Sequence, residues 1–234
     1  ILGSGQTSLA KYLIIAADED DPGLDAHDQP RFFQHVLERF DPRRDLHFHT
    51  RTTIDTLDYS GSGWNAGSKL VIACRGPKRR ELTATLPPDF LPRDGFGRPV
   101  FVRPGILAIE GPPFAMEQTG DGQPKSYDDA ERLLEQLEGH DFSGIPLIVL
   151  CDDATFLAAD FKNFVWATFT RSNPSHDVYG FRAAVEHKHW GTSGPLLIDA
   201  RVKTWHAPGL AEDPAVTRRA DRFFRQGGVL SKWG

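Results

Sequence analysis

Tyr12-Leu13-Ile14-Ile15-Ala16-Ala17-Asp18, near the start of the chain, is matched beyond its middle by Leu147-Ile148-Val149-Leu150-Cys151-Asp152. Each is an aliphatic run of strand length closed by an acidic residue. Such a run predicts a strand buried on both faces. A helical pattern follows each. Pro30 to Phe40 sets Phe33, Val36, Leu37 and Phe40 on one face, with Asp28 as the cap and Pro30 in the first turn. Asp160 to Thr170 sets Phe161, Phe164, Val165 and Phe169 on one face. The helices run out into Arg39-Phe40-Asp41-Pro42-Arg43-Arg44-Asp45 and Arg171-Ser172-Asn173-Pro174-Ser175-His176-Asp177. A polar strand, a Gly-rich turn (Gly63 to Ser68, Gly191 to Gly194) and a buried strand ending in Arg (Leu70 to Arg75, Leu196 to Arg201) complete both frames. The period is too long for a solenoid. It predicts two similar small α/β domains related by internal duplication, over 1–117 and 118–234.

Outside the frames, Val100 to Val102 reads as a further strand. Ser126 to Leu137 reads as a helix opening on Ser-x-x-Asp (Ser126, Asp129). Asp213 to Phe224 reads as a closing helix capped by Asp213, with Pro214 at its first position and Val216, Ala220 and Phe223 or Phe224 as its apolar stripe. Gly111 to Pro124 is rich in Pro and Gly and separates the copies. Strands alternating with helices define an α/β protein. The chain has 234 residues, 39% hydrophobic and 25% charged, with net charge -5. That balance gives no electrostatic footprint for nucleic acid. No apolar run reaches transmembrane length. The start, Ile1-Leu2-Gly3-Ser4, has neither an initiator Met nor a signal-peptide pattern and reads as a fragment or a processed chain. Cys74 and Cys151 lie in apolar runs and are expected to be buried thiols of a cytoplasmic protein.

Several residues stand out chemically. Asp55, Asp58 and Tyr59 precede the first Gly turn and either face an active-site cleft on its substrate side or are ordinary loop residues. His187 and His189 are two apart and would share a face of a strand, most simply as a packed polar pair. Asp152 and Asp153 end a strand at the edge where α/β folds place ligands, yet Asp18, Glu19 and Asp20 recur at the same place, which favours a capping or turn role. Arg39 with Asp45, and Arg171 with Asp177, are expected to form one ion pair in each copy. Lys78-Arg79-Arg80 reads as a solvated basic run. Lys69 follows Gly67-Ser68 at a strand start, where an ammonium and backbone N–H groups can meet a phosphate. The second copy has Pro195 there.

Three stretches resemble the C-terminal region of UbiD-like decarboxylases. The first joins Ile148-Val149-Leu150-Cys151-Asp152-Asp153 to Phe164-Val165-Trp166-Ala167-Thr168-Phe169-Thr170-Arg171-Ser172-Asn173-Pro174-Ser175-His176-Asp177. The second joins Glu186-His187-Lys188-His189-Trp190-Gly191 to Gly194-Pro195-Leu196-Leu197-Ile198-Asp199-Ala200-Arg201-Val202-Lys203. The third joins Thr53-Ile54-Asp55-Thr56-Leu57-Asp58-Tyr59 to Gly67-Ser68-Lys69-Leu70-Val71-Ile72. The likeness is closest to long members with a second, related C-terminal copy. It implies a carboxy-lyase acting on aromatic or unsaturated acids with prenylated FMN, a divalent metal and a monovalent cation. In that family the metal ligands and a Glu-Arg-Glu trio belong to an upstream flavin-binding domain, which is the implied partner. No stretch of this chain offers that motif, so no catalytic or metal residue is assigned and the segment alone is expected to be inactive. The resemblance also implies that Lys69, with Ser68 and Gly67, lies near the cofactor phosphate, and that the closing helix packs on a neighbouring protomer of a homo-oligomer. The rival reading is a non-catalytic assembly or regulatory domain with no flavin contact.

Overall fold

The computed structural model describes residues 2–118, 124–126 and 129–233. In chain order, β1 (Tyr12–Ala16) leads to α1 (Gln29–Arg39), β2 (Leu46–Thr52) and β3 (Gly67–Cys74). A long crossing brings in β4 (Val100–Arg103), β5 (Ile106–Glu110), β6 (Met116–Gln118), β7 (Pro124–Ser126) and α2 (Asp129–Glu135). Then follow β8 (Leu147–Cys151), α3 (Ala154–Ala159), α4 (Phe161–Thr170), α5 (Pro174–Asp177) and β9 (Val178–Gly180). The chain closes with β10 (Ala184–Glu186), β11 (His189–Gly191), β12 (Leu196–Asp199) and α6 (Pro214–Phe224). Asp28 caps α1, Asp160 caps α4 and Asp213 caps α6, each accepting a backbone N–H of the first turn.

Two sheets repeat one arrangement. The first has the order β1-β3-β2, with β3 parallel to β1 and antiparallel to β2. Within the second, β8-β12-β9 has the same order and the same directions. The registers place Tyr12 with Leu147 and Leu70 with Leu196, and the local bonds agree. Leu70 N donates to Lys11 O at 3.0 Å, and Leu196 N to Pro146 O at 3.0 Å. Asp45 accepts from Asp41 N at 2.8 Å, and Asp177 from Asn173 N at 2.6 Å. Asp20 accepts from Gly76 N at 2.7 Å, and Asp152 from Val202 N at 2.9 Å.

The sheets differ in how they are covered. The second gains β5, parallel to β8, and β4, antiparallel to β5. The boundary expected at 117/118 therefore cuts this sheet, because β4 and β5 satisfy their backbone groups on β8. One core lies between the two sheets and α1, α3 and α4, and includes Leu70, Cys74, Val149, Phe164 and Ile198. A second core covers the other face of the second sheet, where Leu107, Ile148, Leu150 and Leu197 meet Leu133 and Leu137, Phe90 and Phe142. Burying one such leucine contributes ~2 kcal/mol. Both β8 and β12 are buried throughout, as expected, but β1 is not: all five of its residues are partly exposed.

The remaining expectations divide. The helix predicted from Ser126 starts at Asp129, Ser126 belongs to β7, and residues 127 and 128 lie outside the described residues. Cys74 and Cys151 are free and buried, and burial pushes their thiols up to about 11 and about 12. No described helix is long and apolar enough to cross a membrane. In α6 no residue is buried, so its apolar stripe of Val216, Phe223 and Phe224 faces outward.

Candidate functional site

The two units meet along a polar joint that floors a cleft of about 870 Å3. Its walls are apolar and come from β1 (Tyr12, Ile14), α1 (Phe33) and α4 (Val165, Trp166, Phe169). Asp55, Asp58 and Tyr59 all line it, so the structure gathers the three residues expected on a substrate side. Asp58 and Tyr59 also line a neighbouring cleft of about 560 Å3 with Trp64, Phe114, Tyr179 and Trp205. Asp55 serves its own loop, accepting from Leu57 N at 2.8 Å.

Lys11 forms the centre of the floor, and nothing in the sequence pattern singled it out. Its ammonium lies 2.8 Å from Asp58 Oδ2 and donates to Ser60 Oγ at 2.6 Å. Ser60 Oγ donates to Asp58 Oδ1 at 2.6 Å. Burial lowers the Lys11 pKa, with Asp58 opposing. For Asp58, burial acts upward but the Lys11 and Ser60 bonds outweigh it, leaving the carboxyl below its usual range. A carboxyl held below its usual range and engaged by Lys11 and Ser60 is ionised at neutral pH, so Asp58 is no proton donor. Tyr12 OH meets Ser172 Oγ at 2.7 Å, and Ser172 Oγ donates to Thr168 O, so the tyrosine donates across the joint.

Behind the floor lies a second buried network. The Arg201 guanidinium is 1% exposed, holds Asp199 through two nitrogens and reaches Asp129 at 2.6 Å. Lys203 donates to Asp199 O at 2.6 Å and Arg171 O at 3.1 Å, and lies 3.3 Å from Asp177. Burial raises the Asp177 pKa against the pull of Lys203. For Asp199, burial acts upward but Arg201 and Lys203 prevail, and its pKa is lowered. His206 Nδ1 accepts from Lys203 N at 3.2 Å, which puts the ring proton on Nε2. Burial, then Lys203, Lys11 and Arg171, lower the His206 pKa to about 4, so the ring is neutral. The Asp199 and Arg201 spacing at a strand end was the available signal for this network. Their long-range partner Asp129 had none.

The Gly67-Ser68-Lys69 turn does not open on the cleft. Lys69 Nζ donates to Ser8 O at 2.7 Å and Ala10 O at 3.1 Å. Ser68 Oγ bonds Asn173 Oδ1 and accepts from Ser175 N at 2.8 Å. A Cβ on Gly67 would stand 2.7 Å from Ile54 Cδ1. Two of the three ammonium donors of Lys69 are thus held by backbone carbonyls, and the Gly67 backbone packs on Ile54. Burial lowers the Lys69 pKa.

Other expected pairings are corrected. Asp45 and Asp177 cap their own turns rather than meeting Arg39 and Arg171. Arg39 contacts Glu38 at 3.4 Å and Arg171 contacts Asp152 at 3.1 Å. Asp153 caps α3 by accepting from Phe156 N, in line with a capping role. His187 and Lys188 have positive φ and form the turn between β10 and β11, so His187 and His189 do not share a strand face. Arg80 is not solvated, because it bonds Leu37 O and Phe40 O at the end of α1. Among the described residues no group of three or more His, Cys, Asp or Glu could hold a metal.

The profile of the family described as 3-octaprenyl-4-hydroxybenzoate carboxy-lyase C-terminal domain, UbiD_C, matches residues 1–74. Residues 1–74 belong to the UbiD C-terminal domain family. The matched segment contains β1, α1, β2 and β3, the complete first sheet. Three chlamydial relatives extend the likeness over the whole chain. An uncharacterized protein of Chlamydia caviae is 32% identical over 228 residues, covering 97% of this chain and 35% of its own length. One of Chlamydia trachomatis is 32% identical over 216 residues, covering 92% of this chain and 34% of its own length. A protein of Chlamydia pneumoniae, named as one of the subunits of 4-hydroxybenzoate decarboxylase, is 31% identical over 235 residues, covering 94% of this chain and 34% of its own length. The chain thus spans about a third of the curated relatives it matches.

Proposed function

We propose that this chain is the C-terminal, substrate-side and oligomerisation region of a UbiD-like decarboxylase acting on aromatic or unsaturated carboxylic acids. The observation that carries this reading is the UbiD C-terminal match over the first sheet, together with relatives three times as long that cover both sheets. The cleft supports it. Its aromatic walls suit the apolar body of such an acid, and its floor is an engaged ion pair that adds little net charge. Prenylated FMN, when bound, supplies the electron sink. We assign its binding, with a divalent metal and a monovalent cation, to the part of the longer protein outside this chain, because the Gly67-Ser68-Lys69 turn is already engaged. The residues of this chain bind and orient the substrate body and keep water from one side of it. The matched strand orders, registers and Asp caps support an origin by duplication, with core units over 12–76 and 147–202 and with β4 and β5 added to the second. The exposed stripe of α6 supports its packing on another protomer, and the two free thiols fit a cytoplasmic protein.

The test uses the full-length protein. Tyr59→Ala and Trp166→Ala should raise KM several-fold for an aromatic acid while flavin content, read from the visible spectrum, stays at the wild-type level. Unchanged kinetics in both variants would remove the substrate-side assignment. That result would favour an assembly or regulatory role with no flavin contact.

A further inference from the structure

The first sheet ends on an edge that the second sheet shows how to cover. Along the parallel ladder, alternate residues turn both backbone groups to the same neighbour. Leu70 N donates to Lys11 O, so residues 11, 13 and 15 serve β3, while Tyr12, Ile14 and Ala16 turn their N–H and C=O groups away from it. At the matching places in the second sheet, Leu147 N donates to Gly105 O at 3.2 Å and Cys151 O accepts from Gly111 N at 3.0 Å. There β5 lies parallel along the edge, Ile106 with Leu147 through Glu110 with Cys151. Among the described residues, no strand pairs with the free edge of β1. The side chains repeat the contrast. Ile15 is 40% exposed, and its counterpart Leu150 is 0% exposed under the second core. An unpaired apolar edge is a template for strand addition.

We infer that the free edge of β1 is an interaction surface that receives an extended segment from the remainder of the longer polypeptide. That segment runs parallel to β1 over about five residues and places apolar side chains over Leu13 and Ile15. Two observations select this occupant. The relatives carry about two-thirds of their length outside the matched region. A second copy related by a two-fold axis would pair β1 with itself antiparallel, whereas the covered counterpart is parallel. This inference rests on the reading that the chain works as part of a longer protein, but not on that protein's chemistry.

Amide hydrogen exchange, resolved to single residues in the full-length protein, tests it. Leu13 and Ile15 are internal controls, protected by β3 in every case. Tyr12, Ile14 and Ala16 should exchange about a hundredfold or more slower than open-edge amides, at all protein concentrations. Ile15→Lys should abolish that protection while leaving Leu13 protected. Fast exchange at Tyr12, Ile14 and Ala16 would overturn the inference. So would protection that grows with concentration, since that assigns the edge to a second copy. Loss or retention of decarboxylation leaves these readings unchanged, so failure here and failure of the enzymatic reading are separable.

Discussion

Arg75 and Arg201 stand at the same place in two sheets of the same strand order, just beyond β3 and β12. Arg75 is exposed, whereas Arg201 is enclosed by Asp199, Asp129 and Phe114. Ile15 and Leu150 repeat the contrast one strand away. The frame of strand, helix, Pro turn, strand and strand is common to both units, so it does not cause the difference. The cause is the material between them. β4, β5, α2 and the loops around Phe90 and Phe142 give the second sheet a neighbour strand and a second core. The first sheet has its helical face covered and its other face half open. A repeated frame therefore specifies a unit, while insertions decide which of its surfaces remain available to other parts of a protein.

The largest test of this contrast is at the arginines. Arg201→Met should cost about 3–5 kcal/mol in urea unfolding, because it removes the buried guanidinium that joins Asp199 to Asp129. Arg75→Met should stay within about 0.5 kcal/mol. Equal effects would mean that the two units are equally closed. Next, Leu150→Ala should cost about 2–4 kcal/mol, against under about 1 kcal/mol for Ile15→Ala in the isolated chain. A large loss at Ile15 there would show the edge to be covered already. Ser68→Ala should cost about 1–2 kcal/mol by depriving Ser175 N and Asn173 of their partner across the joint. No loss would mean that the units are held by their apolar core alone.

The same joint should also give a pH dependence. The fold holds His206 neutral down to about 4, while an unfolded histidine takes a proton near 6.5. Folding therefore excludes a proton that the unfolded chain binds, and stability should fall as pH drops from about 6.5 to about 4. His206→Asn should flatten that part of the curve of denaturation midpoint against pH. An identical curve would place His206 in solvent.

Much of the fold was legible because its signals are local. The aliphatic runs became β1, β3, β8 and β12, and Asp28, Asp160 and Asp213 cap their helices. The shared Arg-x-x-Pro-x-x-Asp turn was recognised, but its Asp was given the wrong partner. A carboxylate four residues after a backbone N–H competes better than a distant guanidinium, and spacing alone does not show that. What failed was long-range. Burial of β1 on both faces was inferred from composition, which cannot report whether a neighbour strand is supplied. The place of β4 and β5 beside β8 follows from a crossing that no pattern announces. Asp55, Asp58 and Tyr59, singled out by their position before a Gly turn, line a cleft. Lys11 was missed because a single Lys ahead of a strand reads as solvated. Lys69 was read as a phosphate ligand because its turn chemistry fits one, and the carbonyls of Ser8 and Ala10 that engage it lie some 60 residues away in sequence.

The central claim is that this chain is the substrate-side portion of a carboxy-lyase whose flavin chemistry resides elsewhere in the longer protein. Its most direct test is release of carbon dioxide from 4-hydroxybenzoate and related aromatic acids. Full-length protein and the 234-residue chain would be prepared side by side, each co-expressed with a flavin prenyltransferase. The account predicts release by the full-length protein, with flavin absorbance, and neither from the chain alone. Carbon dioxide release by the chain alone, or a colourless full-length protein inactive on every acid tried, would contradict it.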